Sequence, residues 1–454
     1  MDAHRKRQRA LVVSLAALVV AAATSCGGTA APPAPTVASA KPAAAPLFID
    51  DDYTRALAEA KEKKKPIFVD AWAPWCHSCL SMRAYVLSDP ALAPLANDLV
   101  WLAIDTEKDA NAAFTSKFQN RVWPTLWIVD PTTETATMRW EGTATTSELL
   151  TLLAAVRPKH GQAQSGDPAK HDDFRRGTEL VAKGELAEAE RAFARAMDDD
   201  VATRPQATEA LIGLVSARKD LRVCSTLAST LGPTLPVGTS RASVLAIGLS
   251  CARDAKREAE LALLVEAAEK SARDPDPRMA ADDRSALYEE LVETKKEKGD
   301  DAGAKTLAKE WASFLEGEAR RAPSKSARVV FDAHRLSAYL AADEPSRAVP
   351  MLQESERDFP DDYNPPARLA KAYLTMKQLD DARAAIDRAA ARVYGPRSLR
   401  VFSLAADIAK AKGDVAAERA ALEQAIARTK TGPAMNDNQK KLRADLEKRL
   451  GALR

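Results

Sequence analysis

Polar and apolar positions divide the chain into stretches of different period. A basic His4-Arg5-Lys6-Arg7-Gln8-Arg9 segment precedes the largely apolar run Ala10 to Ala23, 14 residues long and too short for a lasting transmembrane helix. From Asp50 to Lys61 three acids lead into apolar residues at helical spacing, which predicts a helix with a negatively charged first turn. Pro66-Ile67-Phe68-Val69-Asp70-Ala71-Trp72 is a short apolar run opened by proline and suits a buried parallel strand. A helical pattern resumes from Leu80 to Leu87, and Leu99 to Asp105 reads as another strand. Residues 158–170, with Pro158, Gly161, Gly166 and Pro168 among polar neighbours, predict a linker. Beyond it strand-like runs cease, and Ala, Leu, Glu, Lys and Arg follow helical spacing to the end.

That second half carries a repeat. Tyr339, Ala348, Leu352 and Pro360 recur 34 residues on as Tyr373, Ala382, Ile386 and Tyr394, the last a departure from proline. Phe174 and Gly177, then Ala189, Phe193 and Ala196, with Gly184-Glu185-Leu186 as the turn, match the small and aromatic positions of a tetratricopeptide unit. Weaker units fit Ile212 to Cys224, Leu245 to Ala259, Tyr288 to Trp311 and Ala405 to Ala425. Helix pairs of this period bury their faces by stacking on neighbours, so residues 171–454 are expected to form a solenoid whose groove takes a protein partner. A plain helical bundle is the alternative that amphipathic spacing leaves open.

Composition narrows the classes. With 454 residues, 46% hydrophobic and 29% charged, the chain is globular and long enough for two or three domains. Without residues 1–25 it holds 62 basic and 63 acidic residues, which argues against a nucleic-acid partner. Ala23-Thr24-Ser25-Cys26-Gly27 resembles a bacterial lipoprotein box, with Ala23 where Leu is usual. The resemblance implies signal removal after residue 25, a lipid on Cys26, and a Pro- and Ala-rich tether over residues 26–46. Ordinary signal cleavage near Ala23 is the alternative. The lipid reading places the protein in the bacterial cell envelope, anchored to a membrane and facing the periplasm. The absence of an acid after Cys26 favours the outer membrane.

Lipidation of Cys26 leaves Cys76 with Cys79 and Cys224 with Cys251, two pairs in an exported protein. Cys224 and Cys251 fall on adjacent helices of successive repeats and are either a structural disulfide or two buried thiols. Trp75-Cys76-His77-Ser78-Cys79 stands where a strand hands over to a helix start. There unpaired N–H groups favour a thiolate at Cys76, the species that attacks disulfides. Cys79, three positions on, faces the same side and can resolve a mixed disulfide. A partly protonated His77 beside the nucleophile favours the reduced form and makes the couple more oxidising, with His-Ser between the cysteines as the tuning pair. No metal is expected: a structural zinc site wants four ligands, and the next cysteine, Cys224, lies 145 residues after Cys79.

The segment Phe68-Val69-Asp70-Ala71-Trp72-Ala73-Pro74-Trp75-Cys76-His77-Ser78-Cys79 resembles the active-site segment of thioredoxin-fold proteins, in particular an exported branch with an extra helix ahead of the first strand. The likeness extends over residues 47–157. Trp123-Pro124-Thr125-Leu126-Trp127-Ile128-Val129-Asp130 resembles the cis-proline loop and its antiparallel strand, and Arg139-Trp140-Glu141-Gly142 with the helix Ser147 to Val156 resembles the closing strand and helix. The resemblance implies a central mixed sheet flanked by helices, with Cys76 as nucleophile, Cys79 as resolving thiol and Asp70 as a buried acid that takes the Cys79 proton. It further implies Pro124 in cis and Trp75, Trp123 and Pro124 against the substrate peptide, Trp123 being bulkier than the usual residue there. Trp101 stands where a lysine often neighbours the buried acid. No cofactor is implied beyond the redox-active Cys76–Cys79 disulfide. The leading expectation is a thiol-disulfide oxidoreductase that acts on protein disulfides or thiols, is served by a membrane or periplasmic redox partner, and recruits clients on its repeats. The other is a repeat-based adaptor whose thioredoxin-like part is regulatory.

Overall fold

The structure, a computed structural model, describes residues 45–156, 172–430 and 432–453. Cys26, the signal and lipid-anchor readings and the expected linker 158–170 lie outside these residues. Among the described residues no helix is long and apolar enough to cross a membrane.

The first part is a five-stranded mixed sheet. Strands β1 (Phe48–Asp50), β2 (Ile67–Trp72), β3 (Val100–Asp105), β4 (Thr125–Asp130) and β5 (Thr135–Glu141) lie in the order β1-β3-β2-β4-β5. β3 runs parallel to both β1 and β2, while β4 is antiparallel to β2 and to β5. Central β2 is buried on both faces, so its apolar run does not alternate with polar residues, yet its side chains still divide by the period of two. Ile67, Val69 and Ala71 pack with Phe114 and Phe118 under helices α1 (Tyr53–Lys63) and α3 (Ala112–Lys117). Phe68 faces Trp101, Met82 and Leu149 on the opposite side, where α2 (His77–Ser81) and α4 (Thr146–Val156) lie. Asp70 belongs to that second face.

Two local expectations change. The helix that precedes β2 is there, capped by the Asp52 side chain on the Arg55 N–H, but a three-residue edge strand, β1, comes before it. Three residues carry too little pattern to signal a strand without their β3 partner. The helix after the motif begins at His77 rather than Leu80, and it passes at Met82–Val86 into a π-helical turn.

From Asp172 the described chain is helical to its end. The repeat units appear as antiparallel pairs: Asp172–Lys183 with Leu186–Asp199, Arg204–Ala217 with Leu221–Leu231, Thr239–Asp254 with Glu258–Arg273, and Ala281–Glu297 with Asp301–Arg321. The pairing continues through Asp332–Ala341 with Ala348–Asp358, Asn364–Thr375 with Leu379–Arg392, and Ser398–Ala411 with Val415–Ala427. Of the positions that repeat, Tyr339, Ala348, Leu352, Ala382 and Ile386 are buried, Tyr373 and Tyr394 are half-buried and Pro360 is exposed. A five-residue helix, Lys325–Val329, interrupts the alternation, and its Ala327 carbonyl accepts a hydrogen bond from Tyr85 at 3.2 Å. Cys224 and Cys251 are bonded across successive pairs. Closing a 27-residue interval contributes about 3–4 kcal/mol by loop entropy.

The helical array grows from the sheet. Phe174 of its first helix meets Trp140 of β5 and Phe193 of the second helix, with ring centroids 6.5 and 5.8 Å apart. Glu148 of α4 accepts from the N–H groups of Thr239 and Ser240 at 3.3 and 3.2 Å, filling two orphan donors at a helix start. Later helices come back onto the loop that carries the cysteines.

Candidate functional site

Cys76 is the N-cap of α2. Its backbone is extended, and its sulfur accepts the Cys79 N–H at 3.0 Å while bonded to the Cys79 sulfur. A sulfur in this position replaces the side-chain oxygen of an ordinary cap, and in the reduced pair it receives the same donor and the positive end of the helix. Ser78 Oγ lies 3.4 Å from the Cys76 sulfur and 3.5 Å from the Trp123 carbonyl, so it ties the motif to the proline loop. The Trp123–Pro124 peptide is cis. Trp75 and Trp123 meet edge to face with centroids 5.2 Å apart. Trp75 donates to Glu107 at 2.9 Å and Trp123 to Thr106 at 2.8 Å. The bulk of Trp123 is thus fixed against Trp75.

Asp70 lies beneath the motif with no solvent exposure. Burial pushes its carboxyl up to about 6, against the lowering effect of Arg83. Arg83 Nη1 stands 3.5 Å from Asp70 Oδ2, and its guanidinium lies over the Trp72 ring at 4.3 Å. The cation beside the buried acid therefore comes from the π-helical turn after the motif, while Trp101 packs on Phe68 with centroids 4.7 Å apart. Sequence spacing did not single out Arg83, because it is the wider π-helical turn that brings it under the strand.

The site has a roof. Cys76 is 4% exposed and Cys79 is not exposed at all. Asn364 Nδ2 donates to the Pro74 carbonyl at 3.1 Å, the Arg397 guanidinium lies 4.9 Å over the Trp75 ring, and the Arg397 backbone N–H donates to Glu107 at 2.5 Å. Tyr394 donates to Asp105 at 2.6 Å. Burial raises the Glu107 carboxyl to about 7, with the Trp75 and Arg397 hydrogen bonds acting against the shift. Gly395 has φ 60°, and a Cβ there would stand 2.1 Å from the Glu107 carbonyl oxygen. Glycine is what lets this loop come so close. Here lies the reason for the one departure in the repeat: Tyr394 replaces proline where its hydroxyl reaches the sheet.

His77 points to the same roof. Its Nδ1 is 3.0 Å from both carboxylate oxygens of Asp282, on the helix Ala281–Glu297. Burial disfavours the imidazolium, but the Asp282 charge and hydrogen bond outweigh it and hold the His77 pKa above its ordinary value. The charge assigned to tuning Cys76 is therefore shared with a carboxylate some 200 residues away in sequence. His334, from Asp332–Ala341, stacks on His77 with centroids 3.9 Å apart. Glu107, Asp282, His334, Asn364 and Arg397 were all missed from sequence. Only the Tyr394 departure marked that face.

Comparison with known proteins agrees with this architecture. Residues 48–131 match the thioredoxin-like family and residues 339–408 the tetratricopeptide repeat. The chain thus joins a thioredoxin-like domain to tetratricopeptide repeats. It is similar to the thiol:disulfide interchange protein DsbD of Pseudoalteromonas atlantica, 33% identical over 82 residues, or 18% of this chain and 14% of that protein. It is similar also to protein disulfide-isomerase 1 of Dictyostelium discoideum, 34% identical over 91 residues, or 20% of this chain and 24% of that one. The chain therefore spans less than a quarter of the length of either relative. Among solved structures, a tetratricopeptide repeat protein from Parabacteroides merdae aligns with 62% of this chain and all of its own, at a TM-score of 0.38 and 14% identity.

Proposed function

We propose that the protein is a thiol-disulfide oxidoreductase that works on protein substrates through Cys76 and Cys79. The observation that supports this best is Cys76 at the helix cap, sulfur bonded to Cys79 and accepting its N–H, above the buried Asp70. In the reduced pair the Cys76 thiolate attacks one sulfur of a substrate disulfide, and the other sulfur leaves as a thiolate. Cys79 loses its proton, for which Asp70, ionised above about pH 6, is the acceptor. The Cys79 sulfur then attacks that of Cys76, the substrate's second sulfur departs as a thiolate, and the Cys76–Cys79 disulfide closes. A dithiol partner restores the reduced pair, and the same steps reversed oxidise a client. The chemistry needs no cofactor beyond the disulfide.

The protein acts, on this reading, from a lipid on Cys26 in the bacterial envelope, facing the periplasm and with the outer membrane preferred. The repeats hold the client or partner, and effective concentration brings its sulfurs to Cys76. Residues of the array that meet Pro74, Trp75 and His77 must move aside or form one wall of the substrate cleft. The roof supports a second reading, a repeat-based adaptor in which the covered pair is regulatory. Insulin reduction by the full chain with dithiothreitol separates the two. Turnover lost in Cys76→Ser establishes the exchange; a wild-type rate equal to that of Cys76→Ser removes it.

A further inference from the structure

His334 is 3% exposed, and neither ring nitrogen has a hydrogen-bond partner. A buried imidazole left this way forfeits on the order of 1–3 kcal/mol per unmet group, so the site calls for an occupant or a reason. Its surroundings are donors. His334 Nδ1 lies 3.7 Å from Asp282 Oδ1, and Nε2 lies 3.6 Å from Glu289 Oε2, both beyond hydrogen-bond length. One donor atom each from His77, Asp282 and His334 fall within 4.8 Å of one another. Asp282 is 4% exposed.

We propose that His77, Asp282 and His334 form a binding site for a divalent transition-metal ion of the zinc or copper class, bridging the thioredoxin-like domain and the repeats. Two imidazoles and a carboxylate are the ligand types those ions prefer, without thiolate and without the all-oxygen cage that magnesium or calcium requires. Donors at about 2.0–2.1 Å from a tetrahedral ion stand roughly 3.4 Å apart, so binding widens the 3.0 Å His77–Asp282 spacing slightly and draws His334 Nδ1 in from 3.7 Å. An ion seated there takes the place of the proton between His77 Nδ1 and Asp282. Glu289 faces the other ring nitrogen, Nε2, so it lies outside the cluster of three and adds only its charge nearby. Arg368 is the cation whose field opposes it, at His77 and His334 alike. Entry is open: the His77 side chain is 31% exposed, and Asp282 lines a cleft of about 590 Å³ with Tyr85, Arg284, Phe314 and Phe331. The site's donors exclude Cys76 and Cys79. An ion seated there fastens the helix Ala281–Glu297 to the residue that follows the nucleophile, and so holds the roof closed.

The full chain, kept in its disulfide form so that no motif thiolate competes, is titrated with Zn²⁺ by calorimetry and with Co²⁺ by absorption. One ion per chain is expected, with a Co²⁺ spectrum of nitrogen and oxygen ligands that lacks thiolate charge transfer, and with a Zn²⁺-dependent rise in Tm. His334→Gln should weaken Zn²⁺ by more than the roughly 10–100-fold that loss of a residue behind a ligand costs. Asp282→Asn, near in shape, repeats the test should the glutamine variant fail to fold. No saturable binding up to millimolar ion, or an affinity that a folded variant leaves unchanged, overturns the site and assigns the unmet nitrogens to water. Insulin reduction is compared between metal-free wild type and Cys76→Ser, so the two readings fail separately.

Discussion

Asp70 concentrates the electrostatics of the site in one carboxyl. It is wholly buried and titrates at about 6, against 3.8 in an open chain. Between those values the unfolded chain has released its proton and the native state still holds one. The group's contribution to stability is therefore undiminished below about pH 4, declines as pH rises to about 6, and stays low above it. At 1.36 kcal/mol per pH unit the loss is about 3 kcal/mol at neutrality. Asp70→Asn, which matches the protonated acid in shape, should raise Tm over wild type at pH 7, and the advantage should fade as pH approaches 4. The same variant should slow closure of the mixed disulfide, because Cys79 loses its proton acceptor. Melting curves across that range check the first claim, and an advantage independent of pH contradicts it.

At the scale of elements, the repeats are held by small residues at helix contacts. A Cβ on Gly248 would stand 2.5 Å from the Ala228 Cβ and 2.9 Å from Leu264 Cδ2. The helix of Gly248 is joined to that of Ala228 by Cys224–Cys251, so the two cannot slide apart to admit a methyl group. Gly248→Ala should lower stability by about 1–3 kcal/mol in urea, although alanine is the better helix former by roughly 1 kcal/mol. In a Cys224→Ser/Cys251→Ser background the cost should shrink, since the helices can then give way. Equal costs in both backgrounds would mean that the disulfide does not set the spacing.

For the molecule as a whole, the decisive arrangement is the repeats lying over the active-site loop through Asn364, Tyr394, Gly395 and Arg397. Removing the Asn364 hydrogen bond and the Arg397 cation–π contact forfeits about 1.4 kcal/mol in total, enough for roughly tenfold in an opening equilibrium. Asn364→Ala/Arg397→Ala should therefore speed alkylation of reduced Cys76 about tenfold, read by iodoacetamide trapping. Gly395→Ala should act in the same direction, because its methyl group cannot fit against the Glu107 carbonyl. Unchanged rates would mean that the roof already opens freely.

What could be read along the chain was local or periodic. The run from Pro66 to Trp72, the Cys76–Cys79 spacing, the Trp123-Pro124-Thr125 lead into β4 and the 34-residue recurrence from Tyr339 to Tyr373 each lie within one element or one repeat. Backbone hydrogen bonding and burial set their form over a few residues, so their pattern survives in one dimension. Arg83 under Asp70, Asp282 against His77, the unmet nitrogens of His334 and the Arg397–Trp75 contact join residues up to some 320 positions apart. No spacing rule encodes such pairs. Arg83 depends on the π-helical turn after the motif, while the contacts from the repeats follow from many small crossing angles that accumulate along the stacked helices, a sum that exists only once the whole array has packed.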